Sequence, residues 1–285
     1  MDTNITEAQL IIDDAFLEKR PLSKSSLKQF RKSPKHYIEY ITTPYEEKPA
    51  YVIGKACEQL LMDPERFNDH FEAYQKFAKQ SQAAKDQWNQ MVEDAKASKK
   101  TLIDQDQYMQ ASIMAQNALA NDSVRYWVER SRNLQKKLNW IDKKTGLPII
   151  GFIDFDAVED ERLYIVDIKT DYNGDPDKWL NHAADLDYIM DVGTYCTGYH
   201  KMHYQFPEFK FMIIESSSPY NAHMINCPSN YVNDAKMEFE NTLLAFRYCM
   251  DNQQFHMGYD FWLFDTLSGF TMQKPRWKKS KFLTT

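Results

Sequence analysis

Between Leu138 and Lys169 the chain changes period. Upstream, apolar residues recur at helical spacing. Here Leu138–Ile141, Leu147–Val158 and Leu163–Lys169 read as three successive strands, separated by the polar turn clusters Asp142–Gly146 and Glu159–Arg162. The last strand contains YIVDIK, an apolar run of the kind buried on both faces of a sheet. Asp167 and Lys169 stand two residues apart in that stretch, so they project side by side from one face. Burying such charges in an apolar sheet is costly without partners. The segment thus demands a covered sheet and a reason for charge inside it.

The flanking elements place that sheet among helices. Ser25–Tyr40 reads as a helix broken at Ser33-Pro34, because the residue before proline leaves the helical region. Ile53, Cys57, Leu60 and Leu61 mark a helix from Tyr51 to Met62, ending before Pro64. The stretch from Ala83 to about Arg132 is helix-rich, with Asp104 and Gln107 spaced as a capping box. Beyond the strands, Asp175-Pro176 opens a helix. Val192, Tyr195, Cys196 and Tyr199 then mark one helix face, Phe211–Glu215 and Tyr220–Ile225 are two more strands, and Ser229 can cap a last long helix. This order predicts an α/β (mixed α+β sheet) class. No repeat or linker divides the 285 residues, so a single domain is expected, with a helical insertion at about 70–133 and a basic tail at about 273–285.

Composition excludes several function classes. With 17 Phe, 17 Tyr and 6 Trp the chain is too apolar to be disordered. The longest apolar runs span a few residues, so no transmembrane helix and no membrane partner are expected. MDTNITEAQLIIDD lacks the regions of a signal peptide, and a cytoplasmic location is expected. Cys57, Cys196, Cys227 and Cys249 lie far apart without a CxxC pair, which argues against a zinc ribbon, an iron–sulfur cluster and a disulfide framework. Neither GxxxxGK[ST] nor GxGxxG occurs, so no nucleotide cofactor is expected.

Charge is segregated. The net charge is −6, yet Lys19–Lys35 holds seven basic residues and no acidic one, and 273–285 holds five more. Without those twelve, 23 basic residues face 41 acidic ones. A local surface for a polyanion between acidic walls has this pattern, and so do solvated basic segments.

In GFIDFDAVEDERLYIVDIKT, Asp154 lies on the strand before Asp167 and can face the same point across the hairpin. Asp156 shares its face and is the alternative. Hard oxygen donors of this kind suit Mg²⁺, or else Mn²⁺. Lys169 could then orient or deprotonate an attacking water, or neutralise charge on a phosphate.

GFID, a hairpin and VDIKT together resemble the core of the PD-(D/E)xK nucleases, especially the exonuclease VIII (RecE-type) and lambda-exonuclease branch. LSKSSLKQFRKSPKHY, IGKACEQLLMDPERF, YIMDVGTY and FMIIESSSPY are similar to further motifs of that branch, in the same order. The resemblance implies a restriction-endonuclease-like core: a central mixed β-sheet flanked by helices, with a helical N-terminal part. It implies metal ligation by Asp154, Asp167, the Ile168 carbonyl and Glu58, the last standing where the family has histidine. Lys169 would be the catalytic lysine. Lys24, Ser25 and Arg31 would lie near the phosphate of a DNA end, and Tyr188, Asp191 and Tyr195 on a helix beside the site. Asp191 replaces a family glutamine and puts substrate handling there in question. The implied activity is a Mg²⁺-dependent 5′→3′ exonuclease on duplex DNA ends in phage-type recombination, in a bacterial or phage-infected cell. A single-strand annealing recombinase partner and a homo-oligomeric ring are implied with it. A structure-specific endonuclease on the same fold, or a non-catalytic DNA- or protein-binding module, are the alternatives.

Overall fold

A computed structural model describes residues 11–44 and 48–263. The basic segment at 273–285 lies outside them. The chain opens with α1 (Asp14–Lys19), α2 (Lys24–Lys32) and α3 (Pro34–Thr42). The break between α2 and α3 falls at Ser33-Pro34 as expected, with Ser33 ending one helix in an extended conformation and capping the next. Next come α4 (Pro49–Met62), α5 (Phe67–His70), β1 (Phe71–Tyr74), α6 (Gln82–Ala97) and β2 (Thr101–Asp104). They are followed by α7 (Gln105–Ala120), opened by the expected Asp104–Gln107 capping box, and α8 (Asp122–Val128). The helix-rich stretch is therefore interrupted: β1 and β2 pair in parallel. Strands of four residues are too short to impose a visible period.

Two ladders follow. β3 (Lys136–Ile141) and β4 (Pro148–Ile153) form an antiparallel hairpin. β5 (Phe155–Glu159) and β6 (Arg162–Asp171) form the next, also antiparallel. The expected single strand over Leu147–Val158 is thus two strands divided at Asp154, because β4 pairs backward with β3 and β5 forward with β6. After α9 (Pro176–Asp185) and α10 (Ile189–His203), β7 (Glu208–Glu215) joins β6 in parallel and β8 (Ala222–Cys227) joins β7 antiparallel. The sheet order β5-β6-β7-β8 is mixed, as predicted. The final helix α11 (Ser229–Asp251) is entered from Pro228 with no side-chain cap, so Ser229 is its first residue and not its cap.

Each face of this sheet carries its own core. Leu163 and Ile165 of β6, with Phe209, Phe211 and Ile213 of β7, pack toward α2, α3, α10 and α11. Tyr164, Val166 and Ile168, with Met212 and Ile214, pack toward α4, α7 and α8. Each side chain so buried stabilises the fold by about 1.5–3 kcal/mol over leaving it in water. The period of two continues along β6, so the next residues on the α10 face after Ile165 are Asp167 and Lys169. α10 is buried from Met190 to Tyr199, more than the single face expected. It can be, because Gly193 lets it approach α11: a Cβ there would stand 2.2 Å from the Ala235 carbonyl oxygen.

Candidate active site

Asp154 sits where the two ladders part. The β5–β6 ladder begins at Phe155↔Val166, so no residue of β5 reaches the Ile168 amide. Asp154 supplies the acceptor: Ile168 N–H donates to its Oδ2 at 2.6 Å. The N–H and C=O of one strand residue lie on the same side, so the Ile168 carbonyl is directed to that edge too. Asp167 follows on β6, 1% exposed, and Lys169 pairs with it.

α4 brings the next carboxylate. Gly54 permits this, since a Cβ there would come within 2.7 Å of Thr170 Oγ1 on β6. Glu58 lies one turn further on the same helix face. Gln135 Nε2 donates to the Glu58 carboxylate and lies 3.5 Å from Asp154 Oδ1. Cys57 points away into the core behind the sheet, wholly buried.

From the other side α2 and α10 close the cluster. Lys24 Nζ lies 3.5 Å from Asp167 Oδ1 and 3.1 Å from Asp191 Oδ2. Lys28 also pairs with Asp191, and Lys169 Nζ lies 3.1 Å from Asp191 Oδ2. The tyrosines of α10 and its approach act as ring faces for these cations: Lys24 over Tyr195, and Lys28 and Lys169 over Tyr188.

The electrostatics divide the carboxylates. Burial, then repulsion by Asp167, raises Asp154 to about 6, and burial, then Asp154, raises Glu58 to about 8. Burial would raise Asp191 as well, but Lys24, Lys169 and Lys28 outweigh it and hold Asp191 well below the carboxylate range. Burial opposes the charge on Lys169, yet Asp167, helped by Asp191, keeps its affinity for the proton high.

Among the described residues no three His, Cys, Asp or Glu side chains stand close enough together to hold a metal ion. Gln135 bridges Glu58 and Asp154 instead, and lysines engage Asp167. The donor set nonetheless fits a hard divalent cation. Both Asp167 oxygens are buried, and neither receives a backbone or neutral donor: only the Lys24 and Lys169 ammonium groups face them. Burial, and after it repulsion from neighbouring carboxylates, leaves Asp154 and Glu58 with raised proton affinity.

Of the residues singled out from sequence, Lys24, Glu58, Asp154, Asp167, Ile168, Lys169, Tyr188, Asp191 and Tyr195 meet here. Ser25 and Arg31 stand at the edge, on a cavity of about 1170 Å³ also lined by Lys28, Tyr188 and His182. Arg31 is engaged there by Asp187 at 2.7 Å and Glu238 at 2.7 Å. Asp156 is not in the site: it is bound by Asn133, Tyr199, Arg132 and Lys136 in a separate cluster. Sequence reasoning missed Lys28 and Gln135. Lys28, four residues after Lys24 on one helix, was discoverable by spacing. Gln135 lies in a loop with φ +50, where no pattern announces it.

The family model described as a PDDEXK-like domain of unknown function (DUF3799) matches residues 23–257. The crystal structure of a "Putative exonuclease" from Eubacterium rectale is similar in fold, with a TM-score of 0.56 at 12% identity over 96% of this chain and 96% of that one. The structure of SSO0001 aligns over 78% of this chain and 82% of that one at 11% identity and a TM-score of 0.27, too low to carry an argument. No curated protein matches the chain.

Proposed function

The chain belongs to the PDDEXK-like family, and on that premise we propose that it is a deoxyribonuclease dependent on a divalent cation, Mg²⁺ or Mn²⁺. One observation carries this reading: Asp154, Asp167 and Lys169 converge at one end of β6, with Glu58 brought to them by the close approach of α4. Asp154, Asp167, Glu58 and the Ile168 carbonyl would hold the cation. When bound, it supplies Lewis-acid activation of water and of the phosphate. Lys169, between two carboxylates, stays an ammonium. It therefore acts as a donor that orients the attacking water and neutralises charge on the phosphate, not as a base.

The finer reading is a 5′→3′ exonuclease on duplex ends, supported by the motif resemblance and by Ser25, Lys28 and Arg31 on the cavity beside the site. Its place in phage-type recombination, with an annealing partner and a ring assembly, follows from the resemblance alone. End-labelled linear and closed circular duplexes incubated with the protein and Mg²⁺ test it. Stepwise shortening of linear DNA with circles intact is expected. Nicked circles would favour an endonuclease, and no cleavage of either would remove the nuclease reading.

A further inference from the structure

Three ammonium groups converge on one carboxylate that solvent does not reach. Asp191 is 1% exposed, with Lys24 Nζ and Lys169 Nζ each 3.1 Å from its Oδ2 and Lys28 on its Oδ1. Aromatic faces hold the same lysines from the side: Lys24 Nζ is 4.5 Å from the Tyr195 ring centroid, and Lys28 and Lys169 are 4.6 and 4.9 Å from that of Tyr188. Lys28 and Tyr188 also line the large cavity, so the cluster reaches its wall through these two side chains.

Ammonium donors converging on one point are the donor set for an oxyanion, and each carries three N–H groups. A carboxylate behind them is not needed to bind an anion. It works against one. We propose that Lys24, Lys28 and Lys169 form a phosphate-ester site whose resident counter-anion is Asp191, which weakens the hold on phosphate. Asp191 does not touch the phosphate but acts through the lysines, as a positioning residue that favours release. The resemblance expects a neutral amide at this position, and a carboxylate changes the charge of the site by one unit while retaining a polar, lysine-binding side chain. The inference rests on the phosphodiester reading of the same site, which supplies the ligand class.

Binding and cleavage separate the two readings. A labelled 5′-phosphorylated duplex is titrated by fluorescence anisotropy in chelator, across a salt series, with the full chain and with Asp191→Asn and Asp191→Gln. Both amides keep polarity and remove the charge. Binding at least roughly tenfold tighter is expected, since a like charge beside a ligand typically costs more than that factor. The slope of log affinity against log salt should steepen by about one. A structural ion pair predicts the reverse, lower stability without tighter binding. A folded amide variant with equal or weaker affinity would overturn the proposal, and so would loss of the fold in both. Failure of the wild-type chain to cleave DNA with Mg²⁺ would remove the nuclease reading alone, because the affinity comparison uses no turnover.

Discussion

Asp154 and Asp156 are two residues apart in one sequence motif and end in opposite surroundings. Asp156 is wholly buried, and its carboxylate receives the Asn133 amide at 2.9 Å and the Tyr199 hydroxyl at 2.8 Å. Arg132 Nε and Lys136 Nζ lie 3.3 and 3.5 Å from it. Every demand of that carboxylate is met, and it ties the loop before β3 to β5 and α10. Asp154 instead takes one backbone hydrogen bond and a long contact from Gln135, and burial, then repulsion by Asp167, raises its proton affinity. Both clusters are charged, but only one is short of cation. A buried carboxylate fully supplied with donors belongs to the scaffold, whereas buried carboxylates repelling one another hold a place for a ligand.

The contrast can be broken experimentally, and the largest effect belongs to Lys169. Lys169→Ala should lower the cleavage rate of linear duplex by about 10²–10³-fold, the scale of losing a donor at a developing oxyanion. Its melting temperature should fall as well, because Asp167 and Asp191, both buried, lose an ion-pair partner. Wild-type rates in the folded variant would separate Lys169 from the chemistry. Asp156→Ala should spare the chemistry. It leaves buried donors without an acceptor and should cost about 3 kcal/mol of stability or less, since Arg132 and Lys136 retain solvent. Residual folded protein should still cut, and chemical denaturation read beside cleavage checks both.

Glu58→Gln should weaken Mg²⁺ affinity or rate on the order of 10–100-fold, the scale of removing a group that supports a metal site. Cys57→Ala, beside it in sequence but facing the core, should lose stability and keep its Mg²⁺ optimum. Mg²⁺ titrations of cleavage distinguish them.

A smaller effect is thermal. Asp154 and Glu58 bind protons more tightly in the folded chain, with values near 6 and 8, than when unfolded. Between the unfolded carboxylate range and those values the native state carries more protons, so stability falls as pH rises from about 4 to 8. In chelator the melting temperature should therefore decline across that window, by the equivalent of a few kcal/mol at most. Mg²⁺ at neutral pH should restore it through preferential binding to the folded state. Asp154→Asn should flatten the profile. A profile rising toward pH 8 in chelator would contradict the electrostatics assigned to the site.

Much of this arrangement is legible in the sequence alone. The Asp104 capping box, the Asp175-Pro176 helix start and the break at Ser33-Pro34 are local, so short-range chemistry announces them. Asp167 and Lys169 stood out because charge is conspicuous in YIVDIK, and the alternation of β6 explains why they share a face. Three features were hidden for physical reasons. The run through Leu147–Val158 has no turn cluster at Asp154, only a single aspartate, and the change of pairing partner divides it. β1 and β2 are stabilised by each other across an intervening helix, which no local window records. The choice between Asp154 and Asp156 depended on Asn133 and Tyr199, distant in sequence from both.

Calorimetric titration with Mn²⁺ at neutral pH is the most direct test that the Asp154 cluster, and not its neighbour, is the cation site. The wild-type chain should bind the ion, Asp154→Asn should lose that binding, and folded Asp156→Asn should keep it. Retention by Asp154→Asn with loss in Asp156→Asn, or no Mn²⁺ binding by the wild-type chain, would contradict the account.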